Sequence, residues 1–315
     1  MRRLLDVPNE RSSHAHPVPR GGGVAIVLAF VAGALALWWC GSMPTALLAA
    51  LLVGGGLVAA VGFWDDHVNL PARVRLPLHV IAAVLAVALL GPVQHVPVGA
   101  AMWVAPAWIA WPVSVIGVAW LLNLYNFMDG IDGIAAGEAV SVALAAALIA
   151  GLVDAQFPGL TLLAAAAAGF LLLNWPPARI FMGDAGSGFL GYAFAVYLLF
   201  SANLSARFVW VWVILLAVFW VDATITLGRR VLTGERWYSA HRSHAYQHAA
   251  VRYGGHLPVT LAIIAINLLV LLPLAILAAT RPQHAYIGAA AAFAVLAGLA
   301  VALGAGRHPI SPRAD

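Results

Sequence analysis

Long apolar segments recur along almost the whole chain, and their length limits what it can fold into. An α-helix needs about 20 residues to cross the hydrocarbon core of a bilayer. Ten segments approach that length: 22–40, 44–64, 76–92, 107–124, 134–153, 157–175, 185–200, 206–228, 257–279 and 285–304. The mean hydropathy of +0.94 lies far outside the range of globular domains in water. The sequence therefore predicts an all-α polytopic membrane protein with about ten transmembrane helices, forming a single domain over residues 1–315.

The arginines predict which way the loops face. The chain has no lysine, so all 16 basic residues are arginines. With ten spans, fourteen of them lie on the side that carries both termini, whereas Arg207 and Arg281 lie on the other. Because cytoplasmic loops are enriched in basic residues, this side is expected to be cytoplasmic. Most acidic residues lie there too, so the active site is expected on the cytoplasmic face.

Composition narrows the function classes. The single cysteine, Cys40, excludes a disulfide framework and a cysteine zinc site. The arginines are spread over loops, so no nucleic-acid partner is expected. A transporter would place ionisable residues near the bilayer midplane, but only Glu138 and Asp222 lie within the spans. The clustering of the other acidic residues at one surface favours an enzyme.

The segment GFWDDHVNLPARVRL follows the second span. Asp65 and Asp66 repel one another unless a cation or a proton-transfer role compensates. One interpretation is a solvated helix end. However, Arg73 and Arg75 follow before the next span, and acid and base held together at a membrane surface suit a site that handles a metal and phosphates.

The segment NLYNFMDGIDG places four polar residues at every third position. The glycine after each aspartate predicts that the fourth helix ends near Asn126 and that the chain then turns. Asn123 and Asn126 would then lie on the last helical turn, with Asp129 and Asp132 on the loop. Helix capping explains one or two of them. All four together indicate hard oxygen ligands of the kind that Mg²⁺ prefers.

Two further cytoplasmic segments allow more than one interpretation. In NWPPARIFMGDAGSGFLG, Asp184 either caps the next helix or holds a metal against a diphosphate at the helix N-terminus. In GERWYSAHRSHAYQH, the spacing of His241, His244 and His248 permits a zinc site. Contacts to phosphate or sugar hydroxyls, with Arg242, are favoured because no cysteine or carboxylate ligand lies nearby.

Two other features are weaker. The N-terminal segment DVPNERSSHAHPVPRGGG ends in three glycines, which allow the backbone to approach another part of the chain closely. Asp222 lies near the inner end of a span and is either functional or paired with a nearby arginine.

Taken in order, DDHVNLPARVR, NLYNFMDGIDGIAAG, RIFMGDAGSGFLG and AHRSHAYQH resemble the motifs of the polyprenyl-phosphate N-acetylhexosamine-1-phosphate transferases. This superfamily, glycosyl transferase family 4, includes the phospho-N-acetylmuramoyl-pentapeptide and undecaprenyl-phosphate GlcNAc-1-phosphate transferases. The resemblance covers nearly the whole chain. The N-terminal segment is similar to the family's first cytoplasmic loop.

The resemblance implies roles for individual residues. Asp65 and Asp66 match the catalytic pair, and Asn126 and Asp184 match ligands of Mg²⁺, with Mn²⁺ as the alternative ion. Asp132 matches the position that reads uracil. The residues expected to bind substrate are Arg73, Arg75, Asn123, Asp129, Asp132, His241, Arg242 and His244.

The reaction implied is transfer of an N-acetylhexosamine-1-phosphate from a UDP-sugar to undecaprenyl phosphate at the bacterial inner membrane, with release of UMP. The last loop lacks the clustered histidines of the muramoyl-pentapeptide enzymes and is more similar to the branch that initiates O-antigen and related glycans. GlcNAc or a deoxy sugar such as FucNAc or QuiNAc is the expected donor, and the muramoyl-pentapeptide donor is the alternative. Direct attack by the lipid phosphate and an aspartyl-phosphate on Asp65 or Asp66 both stay open.

The chain also departs from the family pattern. Family members usually have eleven spans, and this chain starts where their first loop starts, so the first span is expected to be missing. Whether the chain forms a homodimer is left open by its sequence.

Overall fold

The computed structural model describes residues 5–6, 18–235 and 241–308. Short strands β1 (Leu5–Asp6) and β2 (Val18–Pro19) pair antiparallel, and so do β3 (His95–Val98) and β4 (Ala101–Val104). The helices are α1 (Gly23–Trp39), α2 (Thr45–Ala49), α3 (Gly55–Val68), α4 (Ala72–Leu90), α5 (Ala107–Met128), α6 (Ile134–Leu152), α7 (Leu160–Asn174), α8 (Asp184–Leu204), α9 (Arg207–Leu215), α10 (Ala217–Leu232), α11 (Ala245–Arg252), α12 (His256–Ile266), α13 (Leu272–Thr280) and α14 (Ala285–Leu303). The described part of the chain is therefore helical apart from these two short strand pairs, which confirms the predicted fold class.

Every predicted apolar segment is helical, but fewer than ten helices are long enough to cross a membrane. In the described part of the chain, seven are long and apolar enough, counting α2–α3 and α12–α13 as continuous through π-helical turns. The number rises to eight if α9 and α10, bent by 70°, form one broken span. The expectation of about ten also counted α1 and α7, which have only 17 and 15 residues.

Helix α8 is the most deeply buried of the candidate membrane spans. In its most apolar stretch, 89% of the residues are buried inside the bundle. It packs most extensively on α5 and α3. A Cβ on Gly191 would lie 2.8 Å from the carbonyl oxygen of Leu121 on α5, so glycine here allows the two backbones to approach. Small residues permit such close packing between membrane helices. This contact sets Asp184, the first residue of α8, beside the ends of α3 and α5.

The N-terminal glycines dock against the same region. The backbone N–H groups of Gly22 and Gly23 donate to the carbonyls of Phe181 and Met182, both at 2.9 Å. A Cβ on Gly23 would collide with the backbone of Gly186. The predicted close approach of this segment is confirmed. It brings Arg20 to the start of α8.

Candidate functional site

A cavity of about 300 Å³ opens where α3 and α5 end and where α4 and α8 begin. The loop before α11 closes one side. Seven of the predicted site residues line it: Asp65, Arg75, Asn123, Asn126, Asp184, His241 and His244. The structure thus brings together residues from all four motif-bearing segments of the sequence, which are far apart along the chain.

Three carboxylates and two arginines form an ion-pair cluster at this cavity. Arg75 Nη1 contacts Asp65 and lies 3.3 Å from Asp184 Oδ2. Arg20 donates from Nη2 to Asp184 Oδ1 at 2.9 Å, and its Nε lies 3.0 Å from Asp66 Oδ1. The guanidinium groups offset the repulsion among the three aspartates. With three negative and two positive charges, the cluster keeps an excess negative charge that suits a cation.

Asp66 lies behind the cavity rather than in its lining. Its carboxylate accepts hydrogen bonds from the backbone N–H groups of Asp184 at 3.0 Å and Ala185 at 3.4 Å. Its side chain is 1% exposed, against 20% for that of Asp184. Asp66 therefore holds the N-terminus of α8, where an anion is favoured. Of the two residues predicted to be catalytic, Asp65 is the one that faces the cavity.

Asn126 and Asp184 both line the cavity, and each side chain carries an oxygen atom of the kind that hard cations prefer. Asn126 Nδ2 donates to Ser187 Oγ at 3.0 Å, and Ser187 donates to the carbonyl of Gly183 at 3.1 Å. These two hydrogen bonds orient the Asn126 amide. Among the described residues, no three His, Cys, Asp or Glu side chains are grouped to hold a metal ion. A metal here would depend on mixed carboxylate and amide oxygens, a donor set that fits Mg²⁺ and not zinc.

The three histidines in and just before α11 have different surroundings. His244 Nδ1 lies 3.2 Å from Asp222 Oδ1, and His241 stacks on His244 with ring centroids 4.9 Å apart. Burial, with the nearby His244 and Arg230, lowers the pKa of His241 to about 3, so this imidazole is neutral at physiological pH. His248 is buried against the end of α14. Among the described residues, Asp222 is thus paired with a histidine rather than with a nearby arginine.

Five predicted residues lie outside the cavity lining: Asp66, Arg73, Asp129, Asp132 and Arg242. Asp132 accepts the backbone N–H of Ala178 at 3.0 Å and contacts His256 at 3.2 Å, so its carboxylate joins two loops. Burial, reinforced by the charge of Asp184, raises the pKa of Asp129 well above its usual range. Arg73 is exposed.

Sequence reasoning missed two residues of this site, Arg20 and His79. His79 Nδ1 lies 3.1 Å from Asn123 Oδ1, while Asn123 Nδ2 donates to the carbonyl of Ala119 at 2.7 Å. The helical spacing of four from Arg75 puts His79 on the same face of α4, and that signal was available. Arg20 immediately precedes the glycines that dock on α8, but nothing local indicates its partners.

Gly62 offers a test of how closely α3 must approach α8. A Cβ at this position would collide with the backbone of Asp184, whereas a Cβ on Gly56 of the same helix meets nothing within 4 Å. We expect Gly62→Ala to lower the melting temperature in detergent, because overpacking typically costs about 1–3 kcal/mol. Gly56→Ala is the matched control and should leave melting unchanged or slightly raised. Equal melting of the two variants would contradict the close contact.

A helical bundle with several helices long enough to span a membrane and a charged cavity at their ends defines a polytopic membrane protein. The chain belongs to glycosyl transferase family 4, whose model matches residues 48–202. It is 32% identical to a probable undecaprenyl-phosphate N-acetylglucosaminyl 1-phosphate transferase of Bacillus subtilis, over 79% of this chain and 70% of that protein.

Other relatives carry two different activities in their names. The chain is 32% identical to a decaprenyl-phosphate N-acetylglucosaminephosphotransferase of Mycolicibacterium smegmatis, over 58% of this chain and 50% of that protein. It is 34% identical to a phospho-N-acetylmuramoyl-pentapeptide-transferase of Thermosynechococcus vestitus, over 65% of this chain and 54% of that protein. Family membership therefore leaves the donor to be decided.

Proposed function

We propose that the protein transfers an N-acetylhexosamine-1-phosphate from a UDP-sugar to a polyprenyl phosphate and releases UMP, starting the synthesis of a lipid-linked glycan. The observation that carries this proposal is the convergence of Asp65, Arg75, Asn126 and Asp184 on one cavity at the ends of membrane helices. The relatives named as GlcNAc-1-phosphate transferases support GlcNAc as the first donor to test. A deoxy-N-acetylhexosamine is the next.

Charge neutralisation is the main task of such a site, because the acceptor phosphate and the donor diphosphate repel each other. Asp184 and Asn126 are the residues that would hold Mg²⁺. When bound, the ion offsets the negative charge of the diphosphate and polarises its phosphoryl oxygens. Ser187 keeps the Asn126 amide oriented. The guanidinium of Arg75 can exchange its contact with the Asp65 carboxylate for one with an incoming phosphate oxygen, since both partners are anionic.

Asp65 is placed to act on the acceptor. It lies on the cavity wall with Arg75 against it, so it can accept a proton from the lipid phosphate or position that phosphate for attack. An in-line attack on the β-phosphorus expels UMP directly. A covalent route would use the same carboxylate as nucleophile. In both routes the uncharged His241 contributes hydrogen bonds and not charge.

The position of the cavity suits a lipid acceptor. It lies at the ends of helices that cross the bilayer, so a polyprenyl tail can stay in the hydrocarbon while its phosphate reaches the arginines. The arginine distribution supports a cytoplasmic orientation of the cavity. Mapping the accessibility of single cysteines on the α3–α4 and β3–β4 loops in intact cells, in a variant without Cys40, tests that orientation.

The proposed reaction is tested with purified protein in detergent, undecaprenyl phosphate, Mg²⁺ and a panel of UDP-linked donors. The panel contains GlcNAc, deoxy-N-acetylhexosamines and the muramoyl-pentapeptide. We expect UMP release that requires both the lipid and one of the N-acetylhexosamine donors. Chelation of divalent ions should abolish release, and Mg²⁺ should restore it. Release only with the muramoyl-pentapeptide donor would support the alternative function, and release with none would contradict the proposal.

A further inference from the structure

Asp222 is a buried carboxylate inside a membrane-spanning helix pair, and the proposed reaction does not use it. Its Oδ1 accepts from Thr226 Oγ1 at 3.0 Å and from the backbone N–H of Ala245 at 2.9 Å. Its Oδ2 accepts from the backbone N–H of Tyr246 at 3.0 Å. The same Oδ1 lies 3.2 Å from His244 Nδ1. Asp222 therefore joins α10 to both the first turn of α11 and the imidazole before it.

This arrangement fixes how His244 meets the cavity. A carboxylate accepts hydrogen bonds only, so the contact with Asp222 assigns the proton of the His244 ring to Nδ1. Because Nδ1 is occupied, Nε2 is the ring nitrogen available to a ligand. The ring plane is held as well, since His241 and Tyr246 stack on it with centroid distances of 4.9 and 5.6 Å. His244 is among the residues that line the cavity with Arg75 and Asp184.

We propose that Asp222 is a positioning residue, which holds His244 so that its Nε2 contacts a phosphate oxygen of the substrate. This inference rests on the proposed function. An imidazole paired with a carboxylate through Nδ1 accommodates a proton on Nε2 and then donates to an anion. The anion is either the diphosphate of the nucleotide donor or the phosphate of the lipid acceptor, and both present the same oxygen chemistry.

The alternative is that Asp222 only caps α11. An anion at a helix N-terminus stabilises the helix, and the two backbone N–H bonds of Asp222 do this regardless of His244. A double-mutant cycle separates the two roles, because contacts within one network are non-additive and independent effects add. The four proteins are wild type, Asp222→Asn, His244→Ala and the double variant. Thr226→Val is the control, since it removes a different hydrogen bond to the same carboxylate oxygen.

Initial rates of UMP release are measured with each substrate varied in turn. We expect Asp222→Asn to lower kcat/KM by about tenfold to a hundredfold, by analogy with carboxylates that orient metal-bound histidines. In the His244→Ala background the same substitution should cost less than about twofold. An increase in KM confined to the UDP-sugar assigns the contact to the donor phosphates, and one confined to the lipid assigns it to the acceptor phosphate. Thr226→Val should retain the wild-type KM values.

Three outcomes would overturn the positioning role: an unchanged rate in Asp222→Asn, an equal loss in both backgrounds, or a Thr226→Val variant as impaired as Asp222→Asn. If Asp222→Asn does not yield folded protein, Asp222→Glu is measured in the same two backgrounds with the same criteria. Wild-type protein that neither turns over nor binds UMP would contradict the proposed function and this inference together. Wild-type turnover with additive variants would contradict the positioning role alone.

Discussion

Replacing Asp184 with asparagine is expected to lower sugar-phosphate transfer by at least about a hundredfold, the loss typical of removing one preorganised electrostatic contact from an active site. Asp184 accepts a hydrogen bond from Arg20 at 2.9 Å and lies 3.3 Å from Arg75. It lines the same cavity as Asn126. Asparagine keeps the shape of the side chain but removes the charge that attracts a divalent ion. The Mg²⁺ concentration needed for half-maximal UMP release should rise in parallel.

The same variant should stay folded, which makes the result interpretable. Each arginine keeps a carboxylate partner without Asp184, Arg75 with Asp65 and Arg20 with Asp66. Gel filtration and thermal melting in detergent should therefore match wild type. Asp154→Asn is the matched control, because Asp154 is exposed on the connection between α6 and α7, at the other end of the bundle. Full transfer by Asp184→Asn would contradict the proposed role of this residue in holding a metal ion.

The sequence predicted the helical architecture well because the apolar runs are long and the polar residues fall between them. It did less well on the number of spans, since hydropathy does not show that α1 and α7 are short or that the chain bends by 70° between α9 and α10. No glycine or proline lies next to Leu216, so the local sequence does not indicate the bend.

Seven of the twelve predicted site residues line the cavity, but the sequence did not show which contacts each of them makes. Asp65 and Asp66 are adjacent in sequence, yet on a helix they point about 100° apart, so one faces the cavity and the other the start of α8. Arg20 pairs with Asp184 across 164 positions, a contact that no local pattern indicates. Asp222 and His244 were each visible as unusual polar residues, but their pairing required the fold.

Replacing Arg75 with glutamine is the second substitution for which a large loss is expected, on the order of a hundredfold in kcat/KM. Arg75 contacts Asp65 and Asp184 together, so its removal leaves two carboxylates close to each other and takes away the proposed phosphate contact. Like charges in proximity disfavour binding of a further anion. Arg75→Lys keeps the charge but presents no planar fork, and we expect it to recover part of the activity.

Arg73 provides the control for Arg75 because it is exposed, lies two residues earlier on the same helix and changes the net charge equally. A local role predicts that Arg73→Gln stays within about threefold of wild type at physiological salt, where surface charges are largely screened beyond about 8 Å. A general attraction of the basic surface for anionic lipid would instead lower both variants alike and would weaken with added salt. We would measure the rates of wild type, Arg73→Gln, Arg75→Gln and Arg75→Lys at low and high ionic strength, with the undecaprenyl phosphate concentration varied. These rates distinguish the local role from the general attraction. Equal losses in Arg73→Gln and Arg75→Gln that vanish at high salt would contradict a direct phosphate contact by Arg75.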